Sequence, residues 1–88
     1  MEIKNNQIVK LRNGVYGVVT SFNNVPEMII FKTYSNPVSH YDADLKKKNE
    51  LYDIMQIYDG SSVPNMKTVF STKFSAEDLP LIWERTEA

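Results

Sequence analysis

The chain has 88 residues, with ten basic and eleven acidic side chains and a formal net charge of −1, which excludes a general electrostatic attraction to nucleic acid or anionic lipid. It contains no cysteine, so a disulfide framework and a thiolate metal site are excluded too. Aromatic residues make up 11% of the chain, which argues against a disordered polypeptide. The length predicts a single small domain, 1–88, which the strand pattern below makes β-rich. A domain of that size buries only about 60–65% of its unfolded surface and gains from self-association, so a homo-oligomer is one expectation. The opening MEIKNNQIVK has no apolar run of signal-peptide length, and no stretch approaches a membrane span. A cytoplasmic protein without a membrane partner is expected.

Met1 to Asn6 is polar, with Ile3 able to begin a strand. Ile8 to Thr20 (IVKLRNGVYGVVT) then sets Asn13-Gly14 between two β-favouring runs. A type I′ turn needs positive φ at both central residues, which Asn tolerates and Gly adopts freely, so this dipeptide predicts a hairpin. A two-residue loop puts Arg12 opposite Val15, Leu11 opposite Tyr16, Lys10 opposite Gly17 and Val9 opposite Val18. Alternation then gives Val9, Leu11, Tyr16 and Val18 one apolar face, and leaves Lys10, Arg12 and Gly17 on a mostly polar one. Leu11 and Val18 are expected to be buried. Gly17, lacking a side chain to pack, predicts a bulge or bend. The second strand runs on to Phe22, and Asn23-Asn24 with Val25-Pro26 marks the next turn.

Glu27 to Tyr34 (EMIIFKTY) has apolar residues on both faces and predicts a central strand, broken by Ser35-Asn36-Pro37. Val38 to Tyr41 predicts a short strand. Asp42 to Asn49 (DADLKKKN) is charged and non-periodic, a loop with one helical turn at Ala43 to Lys46. Leu51 to Tyr58 (LYDIMQIY) predicts a strand with Ile54, Gln56 and Tyr58 on one face and Met55 and Ile57 on the other. Beyond the Asp59–Pro64 loop, Met66, Val69 and Phe70 form a helical stripe, capped by Ser62 with Pro64 in its first turn. Ser75 to Asp78 resembles a capping box that Pro80 ends. Leu81 to Arg85 (LIWER) reads as a last strand able to close the sheet. Trp83 is expected in a single core with Ile30, Phe31 and Ile57. The fold class is mainly β with a minor α component: a small SH3-like barrel, or a curled antiparallel sheet with one short helix.

The residues offer little to catalysis. His40 is the only histidine, and Asp42 and Asp44 near it lack the glycine and terminal Glu of a calcium loop, so neither a metal site nor a cofactor is expected. No G-x-S-x-G turn or glycine-rich phosphate loop is present, and an enzyme is not expected. Lys46-Lys47-Lys48 can clamp a phosphate or an acidic partner, against the plainer reading of a solvated loop. Lys10, Arg12 and Lys32 read as an ordinary polar sheet face rather than a basic and aromatic strip for nucleic acid, because the expected register puts Tyr16 on the other face from Arg12. Tyrosine offers rigid area with a polar tip and is enriched at recognition surfaces. The candidate binding residues are therefore Arg12, Tyr34, Tyr41, Lys46, Lys47, Lys48 and Tyr52.

IVKLRNGVYGVV near the start, YDIMQIYD in the middle and LIWER at the end resemble small phage and prophage proteins of Gram-positive bacteria, which open with a V-x-L-R-N-G hairpin and end in L-x-W-E-R. The resemblance implies an accessory gene of a mobile element and transfers no residue role. The expectation is a non-catalytic phage or prophage protein in the host cytoplasm, binding a host protein stoichiometrically in counter-defence. The alternatives are a nucleic-acid-binding SH3-like module, which is not favoured, and a sponge that sequesters a small nucleotide signal.

Overall fold

The computed structural model describes residues 3–23, 25–63, 65–71 and 73–86, and of Phe22 the backbone alone. The expectations for Met1, Glu2, Asn24 and Pro64 lie outside the described residues. Six strands form one antiparallel sheet: β1 (Gln7–Leu11), β2 (Tyr16–Phe22), β3 (Val25–Ile30), β4 (Ser35–Pro37), β5 (Ile54–Asp59) and β6 (Leu81–Glu84). Their spatial order is β4-β3-β2-β1-β5-β6. Among the described residues no pairing joins β4 to β6, so the sheet stays open and the barrel does not close. Register shifts between Lys10 and Leu11, Thr20 and Ser21, and Ile57 and Tyr58 bend its strands. One short helix, α1 (Met66–Val69), lies against it. The architecture is mainly β, a six-stranded antiparallel sheet with one short helix.

The first hairpin forms where the Asn-Gly pair predicts it, but with a different turn. The Gly14 N–H donates to the Leu11 carbonyl (2.9 Å), and the Leu11 N–H donates to Val15 (2.9 Å). Gly14 has φ of 88°, while Asn13 is not among the residues at positive φ. This is a three-residue loop, a type I turn followed by a left-handed glycine. The register becomes Ile8 with Val18, Val9 with Gly17, and Lys10 with Tyr16. A one-residue slip turns every side chain to the other face. Tyr16 and Val18 thus leave Val9 and Leu11 and join Ile8 and Lys10; Leu11 is buried as expected, whereas Val18 is only half-buried.

The expected polar face is not polar. Ile3, Val9, Leu11, Val19, Ile29, Phe31, Leu45, Ile54 and Ile57 form one core, while Ile8, Tyr58, Val69 and Ala76 form a second. The segment from Val38 to Tyr52 covers the first face; α1 and the chain through Leu79 cover the second. Trp83 packs on the first core beside Ile57, with which it pairs, and is partly buried. Ile30 pairs with Val18 and by alternation faces away from Phe31. The expected single core is therefore two, one on each side of the sheet. Gly17 stands in a regular ladder rather than a bulge. A Cβ there would meet Phe31 Cε1 at 2.6 Å and Ile29 Cγ2 at 2.8 Å, so the position is kept clear for the Phe31 ring.

Other boundaries shift for local reasons. β3 ends at Ile30, and Ser35–Pro37, expected to break a strand, instead pairs with it as the edge strand β4. Proline is acceptable on an edge, where its missing N–H interrupts no ladder. Val38–His40 forms a 3₁₀ helix, not a strand. A second 3₁₀ helix at Glu50–Tyr52 takes the start of the expected Leu51 strand, with the Asn49 side chain accepting from the Leu51 N–H. Within β5, Leu11 pairs with Ile54 but Lys10 pairs with Gln56, leaving Met55 as the bulged residue. That extra residue lets Ile54 and Ile57 share one core against strict alternation. Helix α1 is capped by Asn65, whose side chain accepts from the Thr68 N–H, rather than by Ser62.

Candidate functional site

Two connections meet beside the tip of the first hairpin. The β3–β4 turn is closed by the Phe31 N–H donating to the Tyr34 carbonyl (2.8 Å). It lays the Tyr34 ring on Phe31, with centroids 4.7 Å apart and planes 20° apart. Phe31 in turn sits over Gly17, so the exposed ring of Tyr34 rests on the core. Tyr52, in the second 3₁₀ helix, meets Tyr34 edge-on at 6.1 Å.

The loop before that helix is built by Asp42. Its Oδ1 accepts from the Asp44 N–H (2.8 Å) and the Lys46 N–H (3.1 Å). This local turn holds Leu45 at φ of 60° and buries its side chain in the first core. With Leu45 turned inward, Lys47 bends over the tyrosines. Its Nζ lies 5.6 Å from the Tyr52 ring centroid and 5.8 Å from that of Tyr41, within cation–π range. The Tyr41 hydroxyl donates to the Tyr52 carbonyl (2.9 Å) and accepts from Asn36 Nδ2 (3.4 Å). Burial of that hydroxyl pushes its pKa up to about 12.

Asp53 ties these pieces together. It is buried; its Oδ2 accepts from Arg12 Nη2 (3.3 Å) and its Oδ1 from the Lys47 N–H (3.1 Å). Arg12 Nε also donates to the Glu50 carbonyl (3.2 Å). The backbone repeats the connection, with the Arg12 N–H donating to Asp53 and the Asn13 N–H to Leu51. One carboxylate thereby fixes the hairpin tip, the lysine loop and the 3₁₀ helix of Tyr52 in one frame.

Of the seven residues expected to bind, Arg12, Tyr34, Tyr41, Lys47 and Tyr52 come together here. Arg12 faces Asp53 and organises the frame. Tyr34, Tyr52 and Lys47 form a surface, bordered by Leu51, which is 53% exposed. Lys46 and Lys48 stand exposed on the loop, and Lys46 borders a hollow with Trp83 and Arg85. Sequence reasoning overlooked Asp53 as the organiser. The available signal was a carboxylate inside the apolar run LYDIMQIY, since a charge buried in such a run needs a partner.

The arrangement offers aromatic faces, cations and phenol hydroxyls. Among the described residues, no three His, Cys, Asp or Glu side chains gather as a metal site, and no helix is long and apolar enough to cross a membrane. No protein-family model, curated protein or solved structure matches the chain.

Proposed function

We propose that this protein is a non-catalytic accessory protein of a phage or prophage, binding a host protein stoichiometrically in the host cytoplasm, with counter-defence as its setting. The origin rests on the resemblance of the V-x-L-R-N-G hairpin and the L-x-W-E-R end. The observation carrying the binding reading is the Tyr34–Tyr52–Lys47 surface and its rigid support. Interfaces draw most of their energy from a few rigid aromatic or cationic anchors near their centre. Here Tyr34 is held by Phe31, while the Tyr52 backbone is held by Tyr41 and by the Asp53 frame. Such anchors lose little conformational freedom on binding. Lys46 and Lys48, exposed rim charges in this reading, act on the rate of encounter with an acidic partner.

The test is affinity capture from the native host, followed by calorimetry with the purified partner. Tyr52→Ala is expected to weaken binding by roughly thirtyfold, equal to about 2 kcal/mol. Lys46→Ala with Lys48→Ala should slow association and leave dissociation nearly unchanged. Equal affinity of wild type and Tyr52→Ala, with both folded, would remove this surface from the interface.

A further inference from the structure

The three-residue loop of the first hairpin also shapes the opposite side of the sheet. Lys10 and Tyr16 now share the sheet face that carries α1, and Lys10 Nζ lies 5.6 Å from the Tyr16 ring centroid. An open cleft of about 400 Å³ runs between the hairpin tip, the β3–β4 turn and the chain after α1. Its aromatic lining is Tyr16, Tyr34, Phe70 and Phe74, joined by Lys32 and Ser71. Tyr16 and Phe74 meet edge-to-face at 5.0 Å. Gly14 stands at the cleft's rim, where a Cβ would find nothing within 4 Å.

The lining selects its ligand by chemistry. Four aromatic side chains suit a planar ring, since stacking and edge contacts tolerate any flat π system. Lys32 is the only charged residue among the described lining, and it stands exposed at the turn beside Tyr34. Lys10 adds a second cation behind Tyr16. No carboxylate is among the described lining, and the neighbouring hollow, which shares Ser71 and Phe74, holds Asp78 together with Lys73. An anionic group on the guest finds its counter-charge in Lys32, while the rings take its planar part. The volume falls near the lower end of small-molecule sites, which run from about 300 to 1,000 Å³.

We propose that this cleft binds a nucleoside monophosphate, its base against Phe70, Phe74 and Tyr34 and its phosphate at Lys32. The proposal uses Lys32 and the α1 side of the sheet; it shares Tyr34 with the Tyr52–Lys47 surface but does not rest on that surface binding a host protein. The probes are the four common ribonucleoside monophosphates, their nucleosides, inorganic phosphate and a short single-stranded oligonucleotide, followed by amide NMR of the whole chain. At least one monophosphate should shift the amides of Lys32, Thr33, Tyr34, Ser71 and Phe74. Its nucleoside, and phosphate alone, should each bind at least roughly tenfold more weakly. Lys32→Glu should cost a similar factor with the rest of the spectrum unchanged, whereas Lys4→Glu, at an exposed lysine outside the described lining, should leave nucleotide binding intact. No shifts at millimolar monophosphate, shifts confined to other residues, or equal binding of nucleoside and nucleotide would each overturn the proposal. So would an oligonucleotide that binds far more tightly with a steep salt dependence, which would mark a strand-binding groove.

Discussion

Gly14 and Gly17 stand three residues apart for opposite reasons. Gly14 has φ of 88° and open space around it; Gly17 lies against Phe31 and Ile29 and has ordinary backbone angles. Gly14→Val should lower stability by about 1–3 kcal/mol through backbone strain alone. Gly17→Val should lower it by about 1–3 kcal/mol through overpacking. Adding Phe31→Leu separates the two causes in chemical denaturation: it should recover part of the loss at Gly17 and none at Gly14. Equal effects on both backgrounds would contradict the packing account. Tyr41 offers a test by pH. Its pKa rises from 10.0 unfolded to about 12 folded, chiefly through burial. Between those values the unfolded chain releases a proton that the folded one keeps. Its contribution is therefore full below pH 10 and is lost as pH rises toward 12. The denaturation midpoint of Tyr41→Phe should fall less steeply than wild type across that window, and parallel curves would show that the hydroxyl is not shielded.

Elements explain where the sequence was legible and where it was not. The Asn13-Gly14 hairpin was readable because few dipeptides suit a tight turn. Its register was not, because a type I turn with a left-handed glycine uses the same two residues as a type I′ turn. That single residue reassigned both faces of the first two strands. In β5 the bulge at Met55 defeated alternation in the same way. The tyrosines and lysines of the site were visible as residue types. Their frame was hidden, because Arg12 and Asp53 are 41 positions apart and no local pattern joins them. Asp53→Ala should be milder in the Arg12→Ala background than in wild type, since either single change leaves the other charge without this partner. Additive losses in that cycle would deny the coupling. The last strand carries a comparable tie. Arg85 donates to the carbonyls of Ile54, Asp44 and Leu45 and lies over Trp83 at 5.3 Å. Arg85→Lys keeps the charge but loses the planar fork. It should cost about 1–3 kcal/mol in thermal or chemical unfolding, and a neutral result would show that water replaces those bonds freely.

At the scale of the molecule, the sheet is a middle layer. Its radius of gyration is 11.9 Å, against about 12 Å for a compact chain of this length. Two segments outside the strands cover the sheet's faces: Val38 to Tyr52 on one side, and Val63, Val69, Phe70, Phe74, Ala76 and Leu79 on the other. The second layer was hard to read because its apolar residues fall in one short helix and irregular turns, where neither helical nor strand periodicity marks them. Both layers converge on the β3–β4 turn, where Tyr34 borders the tyrosine surface and the aromatic cleft. In the proposed function, binding at that end uses the folded frame and consumes nothing. The direct test is a titration of the purified host target with the protein, read at fixed time and again after prolonged incubation. Stoichiometric binding predicts inhibition that plateaus at a fixed molar ratio and does not advance with time. Substoichiometric protein that continues to inactivate or modify the target would contradict it and establish an enzyme.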